Sequence, residues 1–151
     1  MCEQNICLVD EELINNVNKI HDQSEWYAKR YEEFWGRKYQ EGIDLRLGTY
    51  EPTRKVKAMS RLSNKIENVP RSFNSFDKWP EYVTSVPDQG WCGASWAVST
   101  ASVASDRFGV HSKGKEAVKL SAQNLLSCVR RLQGCSGGHL DWAWNYFRKI
   151  G

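Results

Sequence analysis

Residues 88–96 read Asp88-Gln-Gly-Trp-Cys-Gly-Ala-Ser-Trp96, and this stretch decides the fold of the chain. Its glycines, Gly90 and Gly93, predict a turn, because glycine adopts backbone conformations that other residues avoid. The residues that follow, Ser95 to Phe108, predict a helix rich in small side chains, with Gly109 as the residue that ends it. Such a helix can be approached closely from several sides, so we expect it to be central and buried.

The composition is typical of a globular protein with one compact domain. Of the 151 residues, 40% are hydrophobic and 26% are charged, which argues against a disordered or fibrous class. A net charge of +3 gives no indication of a nucleic-acid partner, which would require clustered Lys and Arg. The sequence contains no apolar run of about 18 residues, which is the length that would predict a membrane span. Residues 1 to 14 also lack the basic start and apolar stretch of a signal peptide.

The cysteine count is odd, which leaves one cysteine without a partner in an oxidised protein and indicates a shortened chain. Residues 1–7, with Cys2 and Cys7, are interpreted as the tail of a cysteine-rich module. A local zinc site would need two more ligands, and His21 is the only candidate nearby, so we expect no metal and no cofactor. The five cysteines are Cys2, Cys7, Cys92, Cys128 and Cys135.

The N-terminal half contains two predicted helices with an aromatic stretch between them. Asp10 to His21 has Asp10 as a candidate N-cap and an apolar stripe that we expect to dock on another element. A second helix is predicted from Arg37 to Leu47. A basic connecting segment follows, and a domain boundary is placed near Val69. The aromatic side chains between the helices are expected in the core, and they are Trp26, Tyr27, Tyr31, Phe34 and Trp35.

Two more helices are predicted after the central one. Ser121 is a good N-cap for a helix that continues through Leu132. Residues 134–138 form a tight glycine-rich loop. A last helix is predicted from Leu140 to Ile150, with its apolar residues on one face.

From Arg71 onwards these features resemble the first half of a cathepsin B-type protease of the papain family. Four motifs carry the resemblance in order: 73–80, the stretch 88–97, the helix 120–128, and the loop Gly134-Cys-Ser-Gly-Gly138. Residues 8–68 resemble the propeptide of the same group. The resemblance implies an α+β papain-like fold, here the helical lobe in residues 69–151, with the β-barrel lobe missing. Among such proteins the chain is most similar to the tubulointerstitial nephritis antigen family.

The resemblance also implies roles for individual residues. Ser95 stands where the nucleophilic cysteine would be, and Gln89 stands where the oxyanion-hole donor would be. Cys92 and Cys135 would form a disulfide, which favours an oxidising compartment. Gly137 and Gly138 would offer backbone groups to an extended peptide.

Further departures from the enzyme pattern lie near the same cleft. Trp91 replaces a small residue at the rim of the cleft, and Ser136 replaces the usual Asn. Cys128 would pair with a cysteine in the missing half. The pairing of Cys2 and Cys7 stays open.

The chemistry of Ser95 argues against catalysis. A thiol beside an imidazolium and a helix N-terminus is deprotonated in advance, whereas a serine hydroxyl needs a general base during attack. The spacing places that base well beyond Gly151. The three histidines, His21, His111 and His139, are therefore interpreted as surface or packing residues.

By resemblance, the function is that of a non-catalytic papain-fold protein, a secreted component of the extracellular matrix that binds matrix proteins. Two alternatives stay open. One is a cysteine-type peptidase that is active in a full-length form, and the other is a propeptide-like inhibitor of a related cathepsin.

Overall fold

A computed structural model describes residues 6–20, 26–52, 69–129 and 134–151 of the chain. These residues form helices α1 (Glu11–Ile20), α2 (Tyr39–Arg46), α3 (Ser75–Lys78), α4 (Ser95–His111), α5 (Ala122–Cys128) and α6 (Leu140–Lys149). Two short strands, β1 (Thr49–Tyr50) and β2 (Gly138–His139), complete the fold. The arrangement is mainly helical, with α5 and α6 packed against α4.

Helix α4 forms the centre of the fold because its small side chains allow close contact. Trp96 and Ala97 are fully buried, and Leu125 of α5 and Ala143 of α6 are buried against them. Thr100 is also buried, and its hydroxyl donates to the Trp96 carbonyl oxygen. The prediction that this helix is central and buried is therefore confirmed.

The predicted end of α4 at Gly109 is wrong, because the helix continues to His111. Gly109 is buried inside the last turns, where an added Cβ would lie 3.0 Å from the carbonyl oxygen of Tyr82. Glycine is therefore favoured at position 109 because the loop at Tyr82 packs closely against it. It is not there to end the helix. The chain leaves the helix afterwards, with φ of 54° at Lys113 and 82° at Gly114.

The helices on either side of the glycine loop begin as the sequence indicates. Ser121 caps α5, since its hydroxyl accepts from the Asn124 amide at 3.1 Å. The predicted extent to Leu132 is wrong, because α5 ends at Cys128 and Val129 turns to an extended conformation and is buried. Residues 130–132 of that prediction lie outside the described residues.

The N-terminal segment is arranged differently from the prediction. Asp10 caps α1 by accepting from the Leu13 amide at 3.0 Å, but no residue of α1 is buried, and Leu13 and Ile20 are exposed. The expected docking of its whole apolar stripe is therefore wrong. Only Ile14 and Val17 of the stripe are partly covered.

The aromatic stretch between α1 and α2 does not form a core. Four of its five side chains are exposed, because residues 26–31 have no regular structure and only a single 3-10 turn, Glu32–Phe34, follows. Phe34 is the partly buried member, and its ring lies edge-on to Trp91, with centroids 5.9 Å apart. The exposed members are Trp26, Tyr27, Tyr31 and Trp35.

Candidate functional site

The turn before α4 is fixed by glycines and by a disulfide. Gly90 has a φ of 62°, a conformation that favours glycine. Cys92 and Cys135 are joined by a disulfide with a Cα–Cα distance of 4.6 Å, and the Gly93 amide donates to the Cys135 carbonyl oxygen at 2.8 Å. A Cβ at Gly93 would collide with that oxygen. The loop that carries Ser95 is therefore tied to the glycine loop by one covalent bond and one hydrogen bond.

Ser95 is the first residue of α4, and its hydroxyl contacts the N-terminal segment. Ser95 Oγ and Thr49 Oγ1 share a hydrogen bond of 2.8 Å, and the Gly48 amide points at the same Ser95 oxygen from 3.3 Å. A Cβ on Gly48 would overlap the Gly93 carbonyl and lie 2.8 Å from its Cα. The backbone at 48–49 thus lies directly on Ser95, for which the sequence resemblance predicts the nucleophile position.

Gln89 uses both hydrogens of its side-chain amide. Its Nε2 donates to the Cys92 carbonyl oxygen at 2.8 Å, within its own loop, and to the Arg46 carbonyl oxygen at 3.0 Å. An amide nitrogen carries two donors, so neither remains for another oxygen. The second acceptor is a backbone carbonyl of the N-terminal segment.

The glycine loop pairs with the same segment. Strands β1 and β2 are parallel, with Thr49 opposite Gly138, and the Gly138 amide donates to the Gly48 carbonyl oxygen at 2.8 Å. Gly137 has a φ of 116°, and a Cβ there would come within 2.5 Å of the Tyr50 ring. A Cβ on Gly138 would lie 2.7 Å from the Trp96 ring. Both glycines are therefore required by the close approach of β1 and of the central tryptophan.

Ser136 also takes part in this contact, through its backbone. Its carbonyl oxygen accepts a short hydrogen bond from the Tyr50 hydroxyl. Tyr50 thus lies against two residues of the glycine loop, with its ring beside Gly137 and its hydroxyl bonded to Ser136.

Arg46, at the end of α2, links the N-terminal segment to the turn before Ser95. Its guanidinium forms ion pairs with Glu33 at 2.6 Å and with Asp88 at 3.3 Å, and it donates to the Gly90 carbonyl oxygen at 2.9 Å. Its side chain is only 17% exposed. The Gly90 amide donates to Asp88, and mainly for that reason the pKa of the Asp88 carboxyl lies below its ordinary value, with Arg46 adding to the effect.

Trp91 is in contact with two guanidinium groups. The Cζ atoms of Arg37 and Arg46 lie 4.6 and 4.7 Å from the centroid of the Trp91 ring, within the range of cation–π attraction. Arg46 also lies 5.0 Å from the Phe34 ring. Trp91 thus contacts the N-terminal segment through Arg37 and Arg46.

Neither of the two described histidines lies beside Ser95. His139 Nδ1 lies 2.6 Å from the Glu51 carbonyl oxygen, and its ring meets Tyr50 edge-on. His111 is at the opposite end of α4 from Ser95, about 24 Å along an axis that rises about 1.5 Å per residue. It lines a separate open cavity of about 730 Å³ between α4 and the stretch 75–83, with Trp144 of α6 at its edge. His21 lies outside the described residues.

Cys128 is the free cysteine of the described residues, and it is exposed. It lies beside Tyr146, whose pKa is raised mainly by burial and further by this thiol. Cys7 is disulfide-bonded. Cys2 lies outside the described residues.

The described ranges contain no cluster of three or more His, Cys, Asp or Glu that could hold a metal ion. In the same ranges, no helix has the length and apolar character needed to cross a bilayer.

Sequence reasoning named Ser95, Gln89, Gly137 and Gly138 separately, and the structure brings all four into contact with residues 46–50. It did not name Arg46 or Thr49 as site residues. Thr49 lies in the stretch 8–68 that resembles a propeptide, and that resemblance was the available signal for it. The sequence around Arg46 contains no such signal, because its partner Asp88 is 42 residues away.

The family model for the papain family cysteine proteases matches residues 69–151. A human protein named tubulointerstitial nephritis antigen-like is 44% identical over 154 residues, which covers 99% of this chain and 32% of the relative. The human tubulointerstitial nephritis antigen is 42% identical, with the same coverage. The chain thus spans about a third of the length of these relatives.

Two proteases of the cathepsin B group are also similar. Cathepsin B-like cysteine proteinase 6 of Caenorhabditis elegans is 34% identical over 93% of this chain and 39% of the relative. The structure of proCathepsin B S9 from Trypanosoma congolense superposes with a TM-score of 0.77 at 31% identity. That match covers 95% of this chain and 50% of the other, so the similarity includes the N-terminal segment as well as the helical lobe.

Proposed function

This chain belongs to the papain family of cysteine proteases, and on that premise we propose that it is a non-catalytic member. In this proposal it acts as a secreted component of the extracellular matrix, as the resemblance to the nephritis antigens implies. The observation that carries the proposal is the hydroxyl of Ser95, which stands at the nucleophile position and is hydrogen-bonded to Thr49.

The chemistry of that hydroxyl supports inactivity. The N-terminus of α4 stabilises a negative charge, and for a thiol of pKa about 8.5 this assists formation of the thiolate. A serine hydroxyl is far too weak an acid to benefit, and it requires a neutral histidine within hydrogen-bonding reach. Ser95 Oγ instead contacts a hydroxyl and a backbone amide, and neither of these accepts its proton as a base.

The occupied donors around Ser95 support the same conclusion. A papain-type cleft would use the side chain of Gln89 to stabilise the oxyanion of the reaction. In this chain that side chain already donates to the Arg46 and Cys92 carbonyl oxygens. Similarly, the Gly138 amide, which we propose as a site for an extended peptide, already donates to Gly48.

Secretion is supported by the cysteines. Disulfides persist in oxidising compartments and are rare in the cytosol. The Cys92–Cys135 disulfide joins two loops of the site, and Cys7 is also disulfide-bonded. Matrix proteins are the proposed class of partner because of the resemblance to the nephritis antigens.

Peptide hydrolysis and active-site labelling test the catalytic part of the proposal. The purified chain is incubated with a mixture of peptides, and in parallel with a thiol-directed epoxide and a serine-directed fluorophosphonate. We expect no cleavage and no adduct at position 95. Cleavage or labelling that disappears in a Ser95→Ala variant would establish a catalytic serine and overturn the proposal.

Expression in cultured cells tests the matrix part. The protein produced from its full transcript is expected in the detergent-insoluble matrix fraction, with Cys92 and Cys135 oxidised. Recovery of a reduced protein from the cytosol would contradict secretion. Inhibition of a related cathepsin by the purified chain would favour the propeptide-like inhibitor instead.

A further inference from the structure

We infer that the C-terminal end of helix α4 carries a basic patch that binds sulfated glycosaminoglycan chains. The patch is defined as Arg107 and His111 of α4 with Lys113 and Lys115 of the turn that follows the helix. The inference rests on the proposed function and deepens it, because a sulfated polysaccharide is a class of partner that a secreted matrix protein meets.

The side chains of the patch are exposed and are not used in ion pairs. All four residues are exposed, and among the residues that the structure describes, none of the four forms an ion pair. By contrast, Arg30, Arg37 and Arg46 of the N-terminal segment are each paired with a glutamate. The charge of the patch is therefore available to an external anion.

The stretch that contains the patch concentrates positive charge. Residues 107–119 contain four Lys and Arg and one acid, Glu116, which leaves a formal charge of +3 with His neutral. The formal charge of the whole chain is also +3. Clustered charge of one sign attracts a polyanion more strongly than the same charge spread over a surface, because exposed charges are screened beyond about 8 Å at physiological ionic strength.

Arg107 and His111 face the same cavity. They are four residues apart on α4, so they lie on one face of the helix, and both line the cavity between α4 and the stretch 75–83. Two acids, Asp106 and Glu116, also line it, and Asp106 accepts two hydrogen bonds from Thr84. The charges within the cavity are therefore nearly balanced, and the excess of positive charge comes from the turn.

The turn after α4 presents Lys113 and Lys115 in a fixed arrangement. The Gly114 amide donates to the Gly109 carbonyl oxygen at 2.9 Å. Gly114 packs against Tyr82, whose ring would lie 2.6 Å from an added Cβ. The inner side of the turn is thus covered, while both lysines remain exposed. Because the backbone is already ordered, binding a polyanion costs little further ordering of the chain.

Sulfate groups on a polysaccharide match these side chains chemically. Ammonium and guanidinium groups bind oxyanions through charge-assisted hydrogen bonds. The phosphates of a nucleic acid offer similar oxygens to the same cations. The Cys92–Cys135 disulfide favours an oxidising compartment, where a sulfated polysaccharide is the available polyanion, and the proposal therefore commits to the polysaccharide.

Titration of a fluorescein-labelled heparin oligosaccharide with the purified chain, followed by anisotropy, tests the inference. We expect an affinity that falls as salt rises, because binding a polyanion releases its counterions. The double variant Lys113→Gln/Lys115→Gln should lower the affinity at least about tenfold at physiological ionic strength. It should also reduce the slope of log affinity against log salt by about 1 for each lysine.

Two further variants separate the patch from a general effect of charge. Lys119 is an exposed lysine of the same stretch, but it lines a different cavity with Ser102 and Ser105, so Lys119→Gln should change the affinity less than about twofold. Glu116→Gln removes the acid beside the patch and should raise the affinity. All these side chains are exposed, and thermal unfolding checks that each variant is folded.

Unchanged affinity in the folded double variant would overturn the inference and would locate the binding in another basic stretch, such as residues 54–65. Equal binding of a chemically desulfated heparin would overturn the recognition of sulfate. Tighter binding of a DNA oligonucleotide of the same length would overturn the choice of a polysaccharide.

The outcome is separable from the proposed function. A chain that binds no heparin but is recovered in the matrix fraction and cleaves no peptide would remove the patch and leave the proposed function standing. Conversely, a catalytic Ser95 would be detected by labelling whether or not heparin binds.

Discussion

Replacing Gly48 with alanine should expel the N-terminal segment from the cleft. The new Cβ would overlap the Gly93 carbonyl and lie 2.8 Å from its Cα, and these backbone atoms are held by the bond from Gly93 to Cys135. The φ angle of Gly48 is not positive, so alanine can adopt the same backbone conformation without strain. The collision is therefore the whole effect of the substitution.

The expected magnitude follows from the hydrogen bonds that depend on Gly48. Three bonds are lost, those of the Gly48 amide, the Gly48 carbonyl and the Thr49 hydroxyl. At about 0.5 to 1.5 kcal/mol each, the docked state loses about 2 to 4 kcal/mol, which corresponds to about a 30- to 1,000-fold change in the docking equilibrium.

Hydrogen exchange of the Gly138 amide, which donates to the Gly48 carbonyl, reports the change, and limited proteolysis after Tyr50 gives an independent measurement. Gly42→Ala is the matched control, because it is a buried glycine of the same segment whose added Cβ would meet only the flexible end of Leu8, 2.7 Å away. We expect that control to keep the segment docked. Wild-type protection of Gly138 in the Gly48→Ala variant would refute the argument that close approach at Gly48 holds the segment.

Two further predictions concern the turn before Ser95. Reduction of the Cys92–Cys135 disulfide, which closes a loop with a sequence separation of 43, should lower the free energy of unfolding by up to about 4 kcal/mol, measured by urea denaturation with and without reductant. No loss on reduction would show that the disulfide does not constrain the fold. The pKa of Asp88 is lowered, mainly by the Gly90 amide, so its contribution is present above the unfolded-state pKa and is lost as pH falls through the folded value. Arg46 of the N-terminal segment is the charged group paired with Asp88, so protection of the segment should hold at neutral pH and decline as pH falls through the carboxyl range, and Asp88→Asn should flatten that decline. A decline centred near pH 6 to 7 would contradict this assignment.

Local signals in the sequence predicted the starts of helices well. Asp10 and Ser121 each cap a helix through a side-chain oxygen that reaches an amide three residues away, and such a bond depends only on nearby residues. The small side chains of α4 likewise predicted its central position. In these cases the local preference and the packed fold favour the same structure.

The sequence-based predictions are wrong where contacts with distant residues determine the structure. Gly109 is a strong helix-ending signal, but the approach of Tyr82 requires a glycine inside the helix. The aromatic stretch between α1 and α2 has the composition of a core, yet the described chain places no second layer over most of it. Periodicity and composition carry no information about such contacts.

The site shows the same division. The family resemblance led to Ser95, Gln89 and the two glycines, because their motifs are contiguous. It did not lead to Arg46, because an ion pair across 42 residues leaves no pattern in either partner's neighbourhood. Trp91 was noticed as a departure from the enzyme pattern, and its contacts with two arginines emerged only from the fold.

The most direct test of the contact at Ser95 is the reactivity of a thiol placed at position 95. In a Cys128→Ser background, Ser95→Cys introduces a thiol, and its alkylation by iodoacetamide is followed by mass spectrometry without reductant. Residues 48 and 49 lie on this position, so we expect slow alkylation that is accelerated at least about tenfold when Gly48→Ala is added. Equal rates with and without Gly48→Ala would contradict the claim that the chain's own segment fills the cleft.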